Sequence, residues 1–241
     1  MSHFPETRHS AVRRAQDQNP EVRARALDAL LAAYWKPVYK HLRYGWKASD
    51  EEAKDWTQGF FTRFLEKEML QAFDSARGSF RNYLRLAADS FVSNERKAAR
   101  RLKRGGEQQF VSLDWVGAEG ELREHPPSSD LTPEEHFDRE WARALFQLSL
   151  AALEAEFVAA GKQVHLRLFE RYDLEADAVG ARPTYQELAR EFELPVTQVT
   201  NFLAATRRRF RQLTLERLRE ITGSDAEFRD EARRLLGAEP S

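Results

Sequence analysis

Three times along the chain a hydroxyl side chain stands three residues ahead of a glutamate, at the head of a run with helical apolar spacing. The pairs are Ser49 with Glu52, Thr132 with Glu135 behind Pro133, and Thr184 with Glu187. This is the capping-box signature, in which the hydroxyl and the carboxylate each satisfy a backbone N–H that the first helical turn leaves unbonded. No alternating apolar and polar stretch of useful length is present, so the predicted class is all-α. A hydrophobic content of 41% over 241 residues is enough for real cores in two helical domains. Cysteine is absent, which removes disulfide and thiol chemistry and suits a reducing compartment. The N-terminal "MSHFPETRHSAVRRAQ" lacks the apolar centre of a signal peptide, and "ALLAAYW" at 29–35 is too short to span a bilayer. The expectation is a soluble, cytoplasmic protein with no membrane insertion.

A net charge of -1 hides a strong segregation. Residues 27–104 carry 16 basic and 10 acidic side chains, whereas 105–141 carry two basic and 10 acidic. Glycine and proline concentrate over 105–133, the segment that reads as a linker. The expected organisation is an N-terminal arm at 1–26, a basic helical module at 27–104, an acidic linker at 105–132, a second helical module at 133–222 and a tail at 223–241. The tail reads as a short amphipathic helix through Phe228, Ala232, Leu235 and Leu236, expected to pack on the second module, with binding of an inhibitory partner as the alternative.

"ELPVTQVTNFLAATRRRF", residues 193–210, opens like a tight turn and ends in arginines. At 100° per residue, Val196, Val199, Phe202, Leu203, Thr206, Phe210 and Leu213 share one side of a helix. Thr197, Thr200, Asn201, Ala204, Arg207, Arg208 and Arg211 share the other, so short hydrogen-bonding groups come first and guanidinium groups later. That order suits a helix that reads a DNA groove, and a plain surface helix is the alternative. In the first module "NERKAARRLKR" places Arg96, Lys97, Arg100, Arg101, Lys103 and Arg104 within an arc of about 160°. Phosphate contact and a solvated helix end explain such a stripe equally well. Upstream, "FDSARGSFRNYLRLAADSFV" interleaves Phe80, Arg81, Tyr83, Arg85 and Phe91; most of these rings read as core, with Tyr83 the best candidate for exposure. On the helix before it, Trp56, Phe60, Phe61, Phe64 and Leu65 form a wide apolar half opposite a narrow stripe of Asp55, Gln58 and Thr62. The six histidines are scattered, and neither a phosphate-binding glycine loop nor a nucleophile motif occurs. No enzymatic activity, metal or cofactor is expected.

Taken together these phrases resemble the extracytoplasmic-function (ECF) sigma factors of bacterial RNA polymerase over nearly the whole chain. "DWTQGFFTRFLEK" is similar to the region 2 helix that the family writes D-L-T-Q-x-x-F, and "GSFRNYLRLAADSFVSNERKAARR" to the promoter-melting segment that follows. "PTYQELAREFELPVTQVTNFLAATRRRFRQL" resembles the region 4 helix-turn-helix that binds the -35 element. The resemblance assigns region 2 to 27–104 and region 4 to 133–222. It implies a protein that lends promoter recognition to core RNA polymerase, with promoter DNA and an inhibitory anti-sigma protein as further partners. It would place Asp55, Gln58, Thr62 and Arg63 against the polymerase. Arg81, Tyr83, Arg96, Lys97, Arg100, Arg101, Lys103 and Arg104 would hold the -10 element, and Thr197, Gln198, Thr200, Asn201, Arg207, Arg208 and Arg211 the -35 element. The acidic linker would thread polymerase channels, or else act as a tether that keeps the basic modules from binding one another. Glu193 stands where the family commonly has glycine, so a non-glycine residue there takes either a strained left-handed backbone or a slightly different turn. A stand-alone helix-turn-helix regulator is the rival reading.

Overall fold

The three capping boxes close as their spacing predicts. Glu52, Glu135 and Glu187 accept the backbone N–H of Ser49, Thr132 and Thr184 at 3.0, 2.8 and 2.7 Å. The hydroxyl oxygens in turn accept from the glutamate N–H at 3.2–3.3 Å. The backbone N–H and then the hydroxyl hold all three carboxyls below the usual glutamate range. The computed structural model describes residues 10–65, 68–99, 113–124, 126, 130–175 and 182–237, and among them are eleven α-helices and no strand. The chain is all-α, as expected. No described helix is long and apolar enough to cross a membrane.

The helices are α1 (Ala11–Arg14), α2 (Pro20–Gly45), α3 (Asp50–Leu65), α4 (Glu68–Gln71), α5 (Phe80–Ala99), α6 (Trp115–Glu124), α7 (Pro133–Ala159), α8 (Gln163–Phe169), α9 (Tyr185–Glu191), α10 (Val196–Ile221) and α11 (Asp225–Leu236). A five-residue π turn, Glu170–Leu174, continues α8. Two compact units result: Met1–Leu145 together with Leu218–Ser241, and Phe146–Arg217. These boundaries fall inside α7 and α10 rather than at the glycine- and proline-rich stretch. Residues 133–145 and the tail therefore belong with the first module, not the second.

In the first unit α2 is the spine. Asn19 caps it by accepting from Glu21 N–H at 2.9 Å, with Pro20 at the first helical position. Leu30, Tyr34, Val38 and Leu42, four residues apart, form a fully buried stripe. Against it pack Phe60, Phe61 and Phe64 of α3, Phe80, Leu84, Ala88 and Val92 of α5, and Phe137 and Trp141 of α7, all buried. Some rings meet edge-on, as Tyr34 does Phe80 at 5.6 Å and Phe73 does Phe80 at 5.1 Å, while Tyr34 stacks on Trp141 at 6.5 Å. The tail helix α11 joins this core. Its Glu227 accepts from the backbone N–H of Phe80 at 2.8 Å and of Gly223 at 2.7 Å, so it caps α5 from 147 residues away.

His136 of α7 is 1% exposed, and neither ring nitrogen has a hydrogen-bond partner among the described residues. Burial, with lesser pushes from His41, Lys40 and Arg143 and an opposing pull from Glu140, lowers its pKa to about 4. The unfolded chain, with histidine near 6.5, binds this proton first as pH falls. Stability from the neutral ring is therefore complete above about pH 6.5 and declines towards pH 4. Urea unfolding at pH 8 and pH 5 is expected to differ by about 2 kcal/mol through this group alone. His136→Phe should remove that difference; an identical pH dependence in the variant would show that His136 is not its source.

Candidate nucleic-acid interface

The second unit is a helix-turn-helix built on a small core. Leu153, Phe157, Leu166, Leu168, Phe169, Leu188, Val199, Leu203 and Leu213 form it. His165 stacks on Phe202 with centroids 3.7 Å apart, and burial followed by the charge of Lys162 pushes its pKa down. Thr206 and Thr214 sit on the apolar side with their hydroxyls donating to the carbonyls of Phe202 and Phe210, at 2.8 and 2.9 Å. A hydroxyl satisfied by its own helix can be buried at little cost.

The turn between α9 and α10 is a Schellman closure. Leu194 N–H donates to the Ala189 carbonyl at 2.9 Å and Glu193 N–H to that of Arg190 at 3.4 Å. Glu193 takes the left-handed position with φ 54°, one of the two options open to a non-glycine residue at this point. Pro195 then ends the turn, and its carbonyl accepts from Gln198 N–H at 2.9 Å, starting α10.

On α10 the two arcs separate largely as the wheel requires. Val199, Leu203, Thr206 and Leu213 are buried, whereas Thr197, Gln198, Thr200, Asn201 and Arg208 are exposed. Thr200 spends its hydroxyl proton on the Val196 carbonyl at 3.0 Å, which leaves the oxygen as an acceptor only. Val196 departs from the apolar arc, being 42% exposed at the first turn, where the helix projects beyond the core. Arg207 is a larger departure. Its guanidinium holds Asp173 bidentately, at 2.9 Å through both Nε and Nη2, and lies over the Tyr172 ring at 5.0 Å. The carboxylate raises its pKa further, and the group serves the fold of the unit rather than an external phosphate. Arg211 is half-buried and also engaged within the protein. Of the three arginines expected at phosphates, Arg208 is the exposed one.

In the first unit the expected DNA face is redistributed. Arg81 is a core residue: its side chain is 11% exposed, bridges Asp138 at 2.9 Å and Glu231 at 3.0 Å, and lies over Trp141 at 4.6 Å. Tyr83, the ring expected to be most exposed, is half-buried against Phe73 and donates its hydroxyl to the Met69 carbonyl. Arg96 is exposed but anchored, stacked on Trp46 and Trp56 at 5.0 and 5.1 Å and donating to the Trp46 carbonyl at 2.9 Å. Lys97 is exposed. Arg100, Arg101, Lys103 and Arg104 lie outside the described residues. Sequence reasoning missed a cleft of about 180 Å³ before and along the start of α5, lined by Phe73, Arg77, Ser79, Asn82, Tyr83 and Leu86. Leu86 at 49% exposure was its only legible trace, an apolar residue on a face that otherwise reads polar.

The α3 stripe is likewise interrupted. Asp55 and Arg63 are exposed and Thr62 is half-buried, but Gln58 is 8% exposed.

The acidic linker contains structure of its own. Its residues 115–124 form α6, which lies on α2: Glu121 pairs with Lys36 at 2.6 Å and Lys40 at 2.8 Å, and Glu119 with Arg43 at 2.9 Å. Burial works against both carboxylates, yet the hydrogen bonds from these bases and from Tyr39 hold them below the usual range. This segment is thus not a bare connector. No protein family, curated protein or solved structure gives a significant match to the chain.

Proposed function

We propose that the chain is a sigma factor of the ECF class, which binds core RNA polymerase and directs promoter recognition, melting and transcription initiation without catalysing a reaction itself. One observation carries the reading: a helix-turn-helix whose second helix buries one side and leaves Thr197, Gln198, Asn201 and Arg208 exposed on the other. Such a helix enters the major groove with its N-terminal residues at base edges. Asparagine and glutamine match adenine bidentately, and the later arginine reaches phosphate. The order of the region 2 and region 4 phrases along the chain favours a polymerase subunit over a stand-alone regulator.

In the first unit the cleft lined by Phe73 and Tyr83 supports the melting role. The two rings, packed 5.4 Å apart, form one aromatic wall that with Ser79, Asn82 and the cation Arg77 suits one unstacked base, and further along α5 Lys97 is an exposed cation. Asp55 and Arg63 are the polymerase-facing pair of this reading. The protein would act in the cytoplasm, and an anti-sigma protein would find its targets on these same surfaces.

The decisive experiment is co-elution of the purified chain with bacterial core RNA polymerase on a sizing column at moderate salt. A stable complex is expected, and Asp55→Ala with Arg63→Ala should weaken it at least tenfold while leaving the helical content intact. Absence of a complex with a cognate core, together with tight operator binding by the chain alone, would replace this reading with the stand-alone regulator.

A further inference from the structure

The surface beneath α6 has the composition of a strand-binding site. Lys36, Lys40 and Arg43 recur at i, i+4 and i+7 on one side of α2, interleaved with the rings of Trp35 and Tyr39. Cations that track a backbone and rings that receive bases are the two elements of single-strand recognition. Every one of these groups meets α6. Glu121 takes Lys36 and Lys40, Glu119 takes Arg43 and also accepts the Tyr39 hydroxyl at 2.7 Å, and Trp115 covers both rings at 5.5 and 5.4 Å. The helix thus offers α2 two anions and a flat aromatic, the same chemistry as a short stretch of nucleic-acid strand.

The cover is thinly held. Of its ten residues only Ala118 and Glu119 are buried, and Val116 is 87% exposed. A helix of this length does not persist in water without its packing partner. The ion pairs of Lys36 and Glu121 remain about one-fifth exposed, open to competition from another polyanion. Lys40 differs, since Glu140 pairs with it at 2.6 Å independently of α6. Lys36 and Arg43 are therefore the charges that removal of α6 would release.

We propose that the α2 face formed by Trp35, Lys36, Tyr39 and Arg43 is a binding surface for unpaired DNA, and that α6 occupies it in the free protein as an intrachain mimic of the strand. The strand and α6 compete for the same cations, so occupancy by one displaces the other. The inference goes beyond the promoter-recognition reading and needs no polymerase for its test, so either can fail without the other.

Two measurements on the full chain decide it. Hydrogen exchange with and without a saturating 20-nucleotide oligo(dT) is expected to show amides 118–124 losing protection when the strand binds. Titrations of a fluorescent oligo(dT) across a KCl series should show Glu119→Gln with Glu121→Gln binding about tenfold tighter at low salt. Its log–log salt slope should stay parental, because the parent makes the same two phosphate contacts once α6 is displaced. Adding Lys36→Gln and Arg43→Gln should cancel the gain in affinity and flatten the slope by about 1.4. The control Glu51→Gln with Glu124→Gln makes the same net charge change at exposed sites and should do much less. Unchanged protection of α6 at saturation, failure of oligo(dT) to bind, a parental salt slope after Lys36→Gln and Arg43→Gln are added, or an equal gain in the control would each overturn the proposal. The exchange experiment uses the unmodified chain, so it stands even if a variant misfolds.

Discussion

Arg81→Ala is expected to lower the stability of the first unit by about 2–3 kcal/mol, the cost of leaving two partly buried carboxylates with one cation in place of two. Asp138 and Glu231 share Arg81 at 2.9 and 3.0 Å with Arg234 at 3.4 and 2.9 Å, but the Arg81 side chain is 11% exposed against 43% for Arg234, and burial already pushes the Asp138 carboxyl upward. The Arg81 guanidinium lies over Trp141, so the variant also loses a cation–π contact and opens space beside a ring that is 1% exposed. For a unit of this size the loss corresponds to roughly 4–12 °C in Tm. Tryptophan fluorescence during urea unfolding would report it directly. A loss below about 1 kcal/mol, with DNA binding impaired instead, would return Arg81 to the DNA face. Arg81→Met, which keeps the volume but not the charge, should remain destabilised, because the two carboxylates are the larger part of the penalty.

Arg81 also shows where reading the sequence alone stops. The capping boxes, the helical periodicity and the two arcs of α10 are local features, fixed by residues three or four apart, and they appear where the spacing puts them. The partners of Arg81 lie 57 and 150 residues away on α7 and α11, and no local pattern announces them. The same holds for Glu227, which reads as one more solvated carboxylate of an amphipathic tail yet caps α5. Charge runs were legible as charge but not as pairing. The acidic stretch after residue 105 is visible in the composition, while its docking on Lys36, Lys40 and Arg43 depends on a tertiary contact with α2. Glu193 is the opposite case: the sequence leaves a non-glycine residue two options at this turn, and the structure takes the left-handed backbone, a choice confined to one φ.

The same distinction sharpens what α10 should do. Gln198→Ala with Asn201→Ala is expected to reduce promoter affinity of the polymerase complex about 100-fold on the cognate -35 sequence, since a bidentate base contact carries about 1–3 kcal/mol. On DNA with that element scrambled the loss should nearly vanish, because these side chains report on base edges. Arg208→Ala should weaken binding to both sequences alike and reduce the salt slope by about 1, the signature of one phosphate contact. Arg207→Ala should leave that slope close to parental while destabilising the second unit, because its guanidinium is already committed to Asp173 and to the ring of Tyr172. Equal slope changes for Arg207 and Arg208 would mean that the Asp173 bridge opens on DNA, and sequence-independent losses for Gln198 and Asn201 would mean that α10 holds the backbone without reading the bases.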